Sequence, residues 1–255
     1  MALRTSIEPK LGMNYRGNKT GDARYIANIV TNLMADRKQF VDLFCGGCSV
    51  TCAIPKTFKR VANDANPYLM ALLKWYQAGN RFKAPITQTM FEEARTRVAK
   101  ILKRSGNPVV DLTKVESLKD VAYLAWCAYI GSASGEFFGT FCGKQPGSAK
   151  DMTYYNESQL VKTATCIQNV KLSCVNYLDL KLEAPSVIYC DPPWKGLGNY
   201  ALTMYNPDEF YEWCVKTKKN GHTILLSEVS APEDLFKLVK RSGVSTSSYG
   251  LYLMK

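Results

Sequence analysis

The chain of 255 residues contains one histidine, His222, in an apolar run where a structural role fits best. Cys45 and Cys48 form a lone CxxC; zinc would require a second ligand pair at similar spacing, and although Cys52 is near, the single histidine is far away in sequence. No metal site is therefore expected, and the pair reads as small apolar residues in a packed turn. No stretch reaches the roughly 18 apolar residues of a membrane span. The longest apolar block, Val121 to Gly131, suffices for one buried helix. Residues 1–12 lack the apolar centre of a secretory signal. The nine cysteines then read as mostly buried thiols in a reducing cytosol. GxGxxG is missing, which leaves a nicotinamide dehydrogenase without support. There is no internal repeat and no low-complexity linker. At 46% hydrophobic residues the chain can bury a core, which excludes a disordered tail.

Acidic residues are also in deficit. Asp plus Glu number 22 against 33 Lys plus Arg, for a formal charge of +11. The excess is local: residues 1–105 carry 18 basic and 7 acidic side chains, and residues 106–255 carry 15 of each. A polyanionic partner is implied, with nucleic acid the leading candidate.

Hydrophobic periodicity supplies the elements. Ile26, Ile29, Val30 and Leu33 share one helical face. Residues 40–44 form a strand running into the turn Cys45-Gly46-Gly47-Cys48-Ser49, and residues 50–54 open a short helix. Residues 59–64 form a second strand ending in a carboxylate, and Pro67 suits the first turn of the next helix. Residues 79–169 differ, with an amphipathic run at 91–104 and a glycine- and aromatic-rich segment at 129–144. They read as a mainly helical insert carrying one functional loop. Strands follow at 170–177, 186–190 and 222–227, with helices at 207–218 and 232–241 and a closing strand at 245–254. Strands alternating with helices predict an α/β fold with a largely parallel sheet.

Ligands of open α/β sheets bind beyond the carboxyl ends of strands. Three such ends carry chemistry here. Asp42-Leu43-Phe44-Cys45-Gly46-Gly47 lets backbone approach a ligand, or simply makes a tight strand–helix turn. Asp64, some twenty residues after the glycine turn, suits ribose hydroxyls, or caps a helix. Asp191-Pro192-Pro193-Trp194 is the most specific. Its prolines remove two backbone donors and leave free carbonyls beside a carboxylate and an aromatic plane. That set suits an amino group on a flat ring, although a rigid turn with a packed tryptophan would look the same.

Taken in order, Tyr15-Arg16-Gly17-Asn18-Lys19, Asp42-Leu43-Phe44-Cys45-Gly46-Gly47, Asn63-Asp64 and Asp191-Pro192-Pro193-Trp194 resemble the Dam-type, alpha-group DNA adenine methyltransferases. The similarity continues in Lys195-Gly196, Tyr200, the Phe210–Trp213 helix and Ser227 to Pro232. It is weakest over residues 80–170. Where the family usually has Asp-Phe or Asp-Tyr, this chain has Asn176-Tyr177. Its Ser-Phe-Gly-Gly-Lys loop appears loosely as Thr140-Phe141-Cys142-Gly143-Lys144.

The resemblance implies a Rossmann-like S-adenosylmethionine-dependent methyltransferase sheet, formed by residues 1–78 and 170–255, with residues 79–169 as a helical target-recognition insert. It implies methyl transfer to adenine N6 of a base flipped out of duplex DNA. Asp191, Pro192, Pro193 and Trp194 would be catalytic. Tyr15, Arg16, Gly17, Asn18, Lys19, Asp42, Phe44, Gly46, Gly47, Ser49, Asp64, Asn176, Tyr177 and Asp191 would border the cofactor. Ser132, Ser134, Lys144, Lys195 and Asn199 would face DNA. The resemblance also admits a cognate restriction endonuclease as partner, and implies a monomer or weak dimer in the cytoplasm of a bacterial or phage-infected host cell. Cytosine N4 or RNA as substrate, and a catalytically inactive DNA-binding relative, remain compatible alternatives.

Overall fold

The computed structural model describes residues 10–34, 37, 39–83, 85–105, 116–144, 151–183, 185–193, 205–241 and 249–255. Its centre is a seven-stranded sheet: β1 (Gln39–Asp42), β2 (Lys59–Asn63), β3 (Val170–Ser173), β4 (Ser186–Cys190), β5 (Thr223–Glu228), β6 (Phe236–Arg241) and β7 (Gly250–Met254). The strand order is β3-β2-β1-β4-β5-β7-β6. β1 to β5 pair in parallel, and β7 lies antiparallel between β5 and β6. β1, β4 and β5 are buried at every position, as expected of central strands covered on both faces.

Successive side chains on these strands divide between two cores, following the two-residue period of a strand. Phe40, Val187, Tyr189 and Leu225 meet Ile26 and Val30 of helix α1 (Ala23–Leu33) and Val50 of α2 (Ser49–Ala53). Val41, Ile188, Ile224 and Leu226 meet Phe210 and Cys214 of α7 (Pro207–Lys219). A third core joins α3 (Pro67–Gln77), α4 (Gln88–Ser105), α5 (Leu118–Ile130) and α6 (Met152–Cys166). The described residues of segment 79–169 are mainly helical. They pack through the nearly all-buried α5 onto α3, whose start is set by the Asn66 cap and Pro67. Among the described residues, no helix is long and apolar enough to cross a membrane.

Two expectations fail. The helix expected over 232–241 stops after a single turn. The Pro232 carbonyl accepts the Leu235 and Phe236 amides, and the chain then enters β6. Pairing with β7 overrides the local periodicity, and residues 237–241 lie exposed along the sheet edge. The strand expected over 170–177 ends at Ser173, because Asn63 of β2 bonds both the amide and the carbonyl of Val175 and turns the chain away. Residues Tyr177–Asp179 then form one 3-10 turn.

The sheet grows outward from β1 through β2 and β3 on one side and from β4 on the other. The order therefore reverses between β1 and β4, and it is beyond the carboxyl ends at such a switch point that open α/β sheets place their binding crevice.

Candidate active site

Four carboxylates stand at the carboxyl edge around this crevice, each at or just beyond a strand end: Asp42 (β1), Asp64 (β2), Asp191 (β4) and Glu228 (β5). Asp42 is buried and accepts the Thr51 hydroxyl at 2.6 Å. Burial, with Asp191 and Asp64 nearby, raises its pKa to about 7. Asp64 accepts the Gly46 amide at 3.1 Å through Oδ2 and the Asn66 amide at 2.9 Å through Oδ1. Burial raises its pKa, and those two bonds restrain the rise. Glu228 is buried, accepts the Val229 amide at 2.8 Å, and has its pKa raised to about 7, chiefly by burial.

Lys19 is a cation set against these groups. Only 8% exposed, it extends its Nζ to within 2.5 Å of Asp191 Oδ2 and 3.2 Å of the Gly17 carbonyl. Its amide donates to the Ser49 hydroxyl, which fixes the segment 15–19 against the start of α2. Tyr249 lies under the ammonium, 5.1 Å from ring centroid to Nζ. Lys19, Ser49, Asp42 and Asp191 are therefore brought together, although 172 positions separate the ion-paired residues.

The glycine turn owes its composition to close approach. Gly46 has φ +45°, and a Cβ there would touch the Tyr15 ring at 3.0 Å. A Cβ at Gly47 would lie 2.6 Å from the Met13 carbonyl, whereas the Met13 amide actually bonds the Gly47 carbonyl. Gly46 and Gly47 thus let the segment 13–19 lie across the strand–helix turn. Cys45 and Cys48 are buried within that turn, and their mutual hydrogen bond, followed by burial, raises the Cys45 pKa.

Beside the turn, Phe44, Tyr177, Tyr205 and Phe210 form an aromatic wall with ring centroids 5.6 to 6.4 Å apart. Asn176 is exposed and caps the 3-10 turn through the Leu178 amide. Arg16 and Asn18 point outward: Arg16 pairs with Glu136 at 2.6 Å, and Asn18 stabilises its own turn through the Tyr15 carbonyl and Thr20.

The loop 131–144 docks on this segment. Asn14 Nδ2 donates to the Ala133 carbonyl and the Arg16 amide to the Gly135 carbonyl. Gly135 has φ +68°, and a Cβ there would sit 2.6 Å from the Tyr15 nitrogen. Ser134 and Lys144 are exposed, but Ser132 is completely buried, bridged to Phe141 and bonded through its carbonyl to Asn156. Its side chain has no surface to offer a partner. Asp191, Pro192 and Pro193 are described; Trp194, Lys195 and Asn199 lie outside the described residues.

Sequence reasoning missed Glu228 and the buried ties Asn63, Asn156 and Tyr129. For Glu228 the signal was present, since a carboxylate ends an apolar strand there just as it does at Asp42. The buried ties carried none, because their partners are remote in sequence: backbone carbonyls for Asn63 and Asn156, and the Asn66 side-chain amide for Tyr129.

Known proteins similar to this chain are methyltransferases. The model of the D12 class N6 adenine-specific DNA methyltransferases matches residues 15–232. A retron Ec67 DNA adenine methylase from Escherichia coli is 25% identical over 229 residues, covering 84% of this chain and 75% of that protein. Solved structures similar to the chain include a methyltransferase from Escherichia coli (10% identity, 97% of this chain and 92% of that one, TM-score 0.36). An rRNA methyltransferase from Streptomyces viridochromogenes is another (11% identity, 90% and 84%, TM-score 0.35). The match spans every strand end of the crevice, from the Tyr15 segment through Glu228, and the chain belongs to the D12 class N6 adenine-specific DNA methyltransferase family.

Proposed function

We propose that the crevice holds S-adenosylmethionine and a flipped-out adenine, and that Asp191 and the Pro192 carbonyl accept the two N6 hydrogens. The observation that carries this reading is Asp191, fixed by Lys19 at the switch point and followed at once by two prolines. The family reacts with adenine N6 in DNA, and that chemistry calls for a sulfonium methyl donor. The charges suit such a donor: buried carboxylates with raised pKa values favour a ligand carrying both an ammonium and a sulfonium.

The donor supplies an electrophilic methyl group. The chain's own residues do the rest. Tyr15, Gly17 and Lys19 border the methionine end, and Asp42 is the nearest buried acceptor for an ammonium. Asp64 keeps lone pairs beyond its two backbone bonds, enough to accept ribose hydroxyls. Phe44 and Tyr177 offer apolar faces to a nucleobase. The N6 lone pair is delocalised into the adenine ring and is weakly nucleophilic. Two acceptors at its hydrogens draw that pair out of conjugation and aim it, so most acceleration comes from positioning and fixed electrostatics. No covalent intermediate is needed. Trp194 is assigned to stacking on the base, worth about 1–3 kcal/mol. Lys144 and Ser134, with Lys195 and Asn199, are assigned to DNA, and residues 79–169 to target recognition.

Transfer of radiolabelled methyl from S-adenosylmethionine to duplex DNA, followed by nucleoside digestion, tests the reading. Label in N6-methyladenosine is expected. Label in N4-methylcytosine, or none, rejects it. Asp191→Ala is expected to abolish turnover while cofactor binding persists; retained methylation would remove Asp191 from its role.

A further inference from the structure

We propose that Cys166 and Cys52 form a peroxide-reactive pair, in which Cys166 is the attacking thiolate and Cys52 the thiol that closes a disulfide with it. The pair takes no part in the methyl-transfer reading and is built around Arg60 of β2. In the β2–β3 register Arg60 faces Val170, the first residue of β3, so the group sits toward the amino edge of the sheet, opposite the crevice. The Arg60 side chain is only 2% exposed, and no carboxylate pairs with it among the described residues. Its Nη1 donates to the Thr51 carbonyl and its Nη2 to the Cys166 carbonyl, both at 3.2 Å, while its Nε has no hydrogen-bond partner. Two neutral carbonyls leave the charge uncompensated, and a buried unpaired charge is costly. The titratable groups that act on it are three thiols, Cys52, Cys166 and Cys48. A thiolate at one of them supplies the missing negative charge.

Arg60 also sets the reacting pair. The carbonyls it holds belong to Cys166, the last residue of α6, and to Thr51, the neighbour of Cys52 on α2. The Cys52 and Cys166 thiols are hydrogen-bonded to each other, and both are free and half-buried, within reach of a small oxidant. Cys48 is completely buried. The bond from Cys52, then Lys56 and Arg60, lowers the Cys166 pKa to about 6 against the opposing effect of burial. The same bond, followed by burial, raises the pKa of Cys52. One sulfur is thus ready to attack and the other keeps its proton. The Cys166 thiolate attacks one oxygen of hydrogen peroxide, the O–O bond breaks, and hydroxide leaves. Cys166 becomes a sulfenic acid and the peroxide is reduced. Cys52 sulfur then attacks Cys166 sulfur, forming S–S and breaking S–OH. The departing hydroxide takes the Cys52 proton and leaves as water. In total two thiols and one peroxide give one disulfide and two waters.

The test treats the reduced full chain with hydrogen peroxide and reads the cysteine peptides by mass spectrometry. A disulfide between Cys52 and Cys166 is expected as the first product. In Cys52→Ser, Cys166 should stop at the sulfenic acid and be trapped by dimedone. In Cys166→Ser the fast oxidation should disappear. Limited alkylation with iodoacetamide at pH 6 reads the thiolate directly. About half of Cys166 is ionised there, against about 0.3% of an ordinary thiol of pKa about 8.5. The weaker intrinsic nucleophilicity of an acidic thiolate takes back about 13-fold, leaving about a tenfold advantage. Cys166 should therefore label about tenfold faster than Cys174, which is also half-buried. Lys56 is exposed, and Lys56→Gln should move the midpoint of the Cys166 rate profile upward from about pH 6. A first disulfide between Cys45 and Cys48, or Cys166 labelling no faster than Cys174, would overturn the proposal. So would dimedone trapping at Cys52 in Cys166→Ser as fast as at Cys166 in Cys52→Ser. Should a serine variant fail to fold, the wild-type profile decides: a midpoint near the ordinary value of about 8.5 would overturn the proposal.

Discussion

At the scale of the residue, the crevice is a cluster of like charges held out of water. Asp42 shows the consequence. Its folded-state pKa lies at about 7 against an ordinary 3.8, so the folded chain binds that proton more tightly than the unfolded chain. The associated stability is complete below about pH 4 and is lost as the pH rises toward 7. At 1.36 kcal/mol per pH unit, the loss is at most about 4 kcal/mol. Asp42→Asn should therefore raise the melting temperature of the cofactor-free protein at pH 8 and leave it nearly unchanged at pH 4, while weakening cofactor binding. Thermal unfolding at the two pH values decides the matter, and equal shifts at both would remove Asp42 from this role. Asp42, Asp64 and Asp191 were legible in the sequence because each closes a strand-like run within four residues of a glycine or proline. The Lys19–Asp191 pair was not, since only the fold brings residues 172 positions apart within 2.5 Å.

At the scale of the element, α6 acts as a brace. Asn156 is 1% exposed and donates to the Ile130 and Ser132 carbonyls, locking the end of α5 to the start of the loop 131–144. That loop in turn holds the Tyr15 segment through the Ala133 and Gly135 carbonyls. Removing the amide strands two buried acceptors, at about 1–3 kcal/mol each if water does not enter. Asn156→Ala should lower the melting temperature by about 5–10 °C. It should also speed amide exchange at Ala133, Arg16 and Cys142 more than in β1 or β4. Uniform exchange changes across the chain would show that no brace is present. Strands buried on both faces were readable as apolar runs, and α3 and α7 from their Asn-Pro starts. β6 was misread as a helix because Leu235, Leu238 and Val239 share a helical spacing. Its strand conformation comes from β7, a partner whose pull local periodicity cannot register.

At the scale of the whole molecule, charge is unevenly spent along the chain. The +11 excess falls within residues 1–105, and exposed Arg95, Arg97 and Lys100 stand on α4 beside the loop that ends at Lys144. Arg95 reaches the Phe138 carbonyl of that loop at 3.5 Å, which ties the helix to the loop, and also pairs with Glu92 at 3.8 Å. Arg97 is neutralised by Glu116 at 2.7 Å and contributes less. A duplex laid on this face would release condensed counterions, and the logarithm of affinity would fall with the logarithm of salt at about −0.9 per phosphate neutralised. Four to five contacts, an order-of-magnitude expectation, give a slope of about −4 and a loss of about 10²- to 10³-fold between 50 and 200 mM salt. Lys100→Gln and Lys144→Gln should each reduce the slope by about one and weaken all sequences alike. Fluorescence anisotropy with several duplexes checks this. A flat salt response would place the DNA elsewhere on the molecule. A sequence-dependent loss in Lys144→Gln would move that lysine from the phosphates to a base edge.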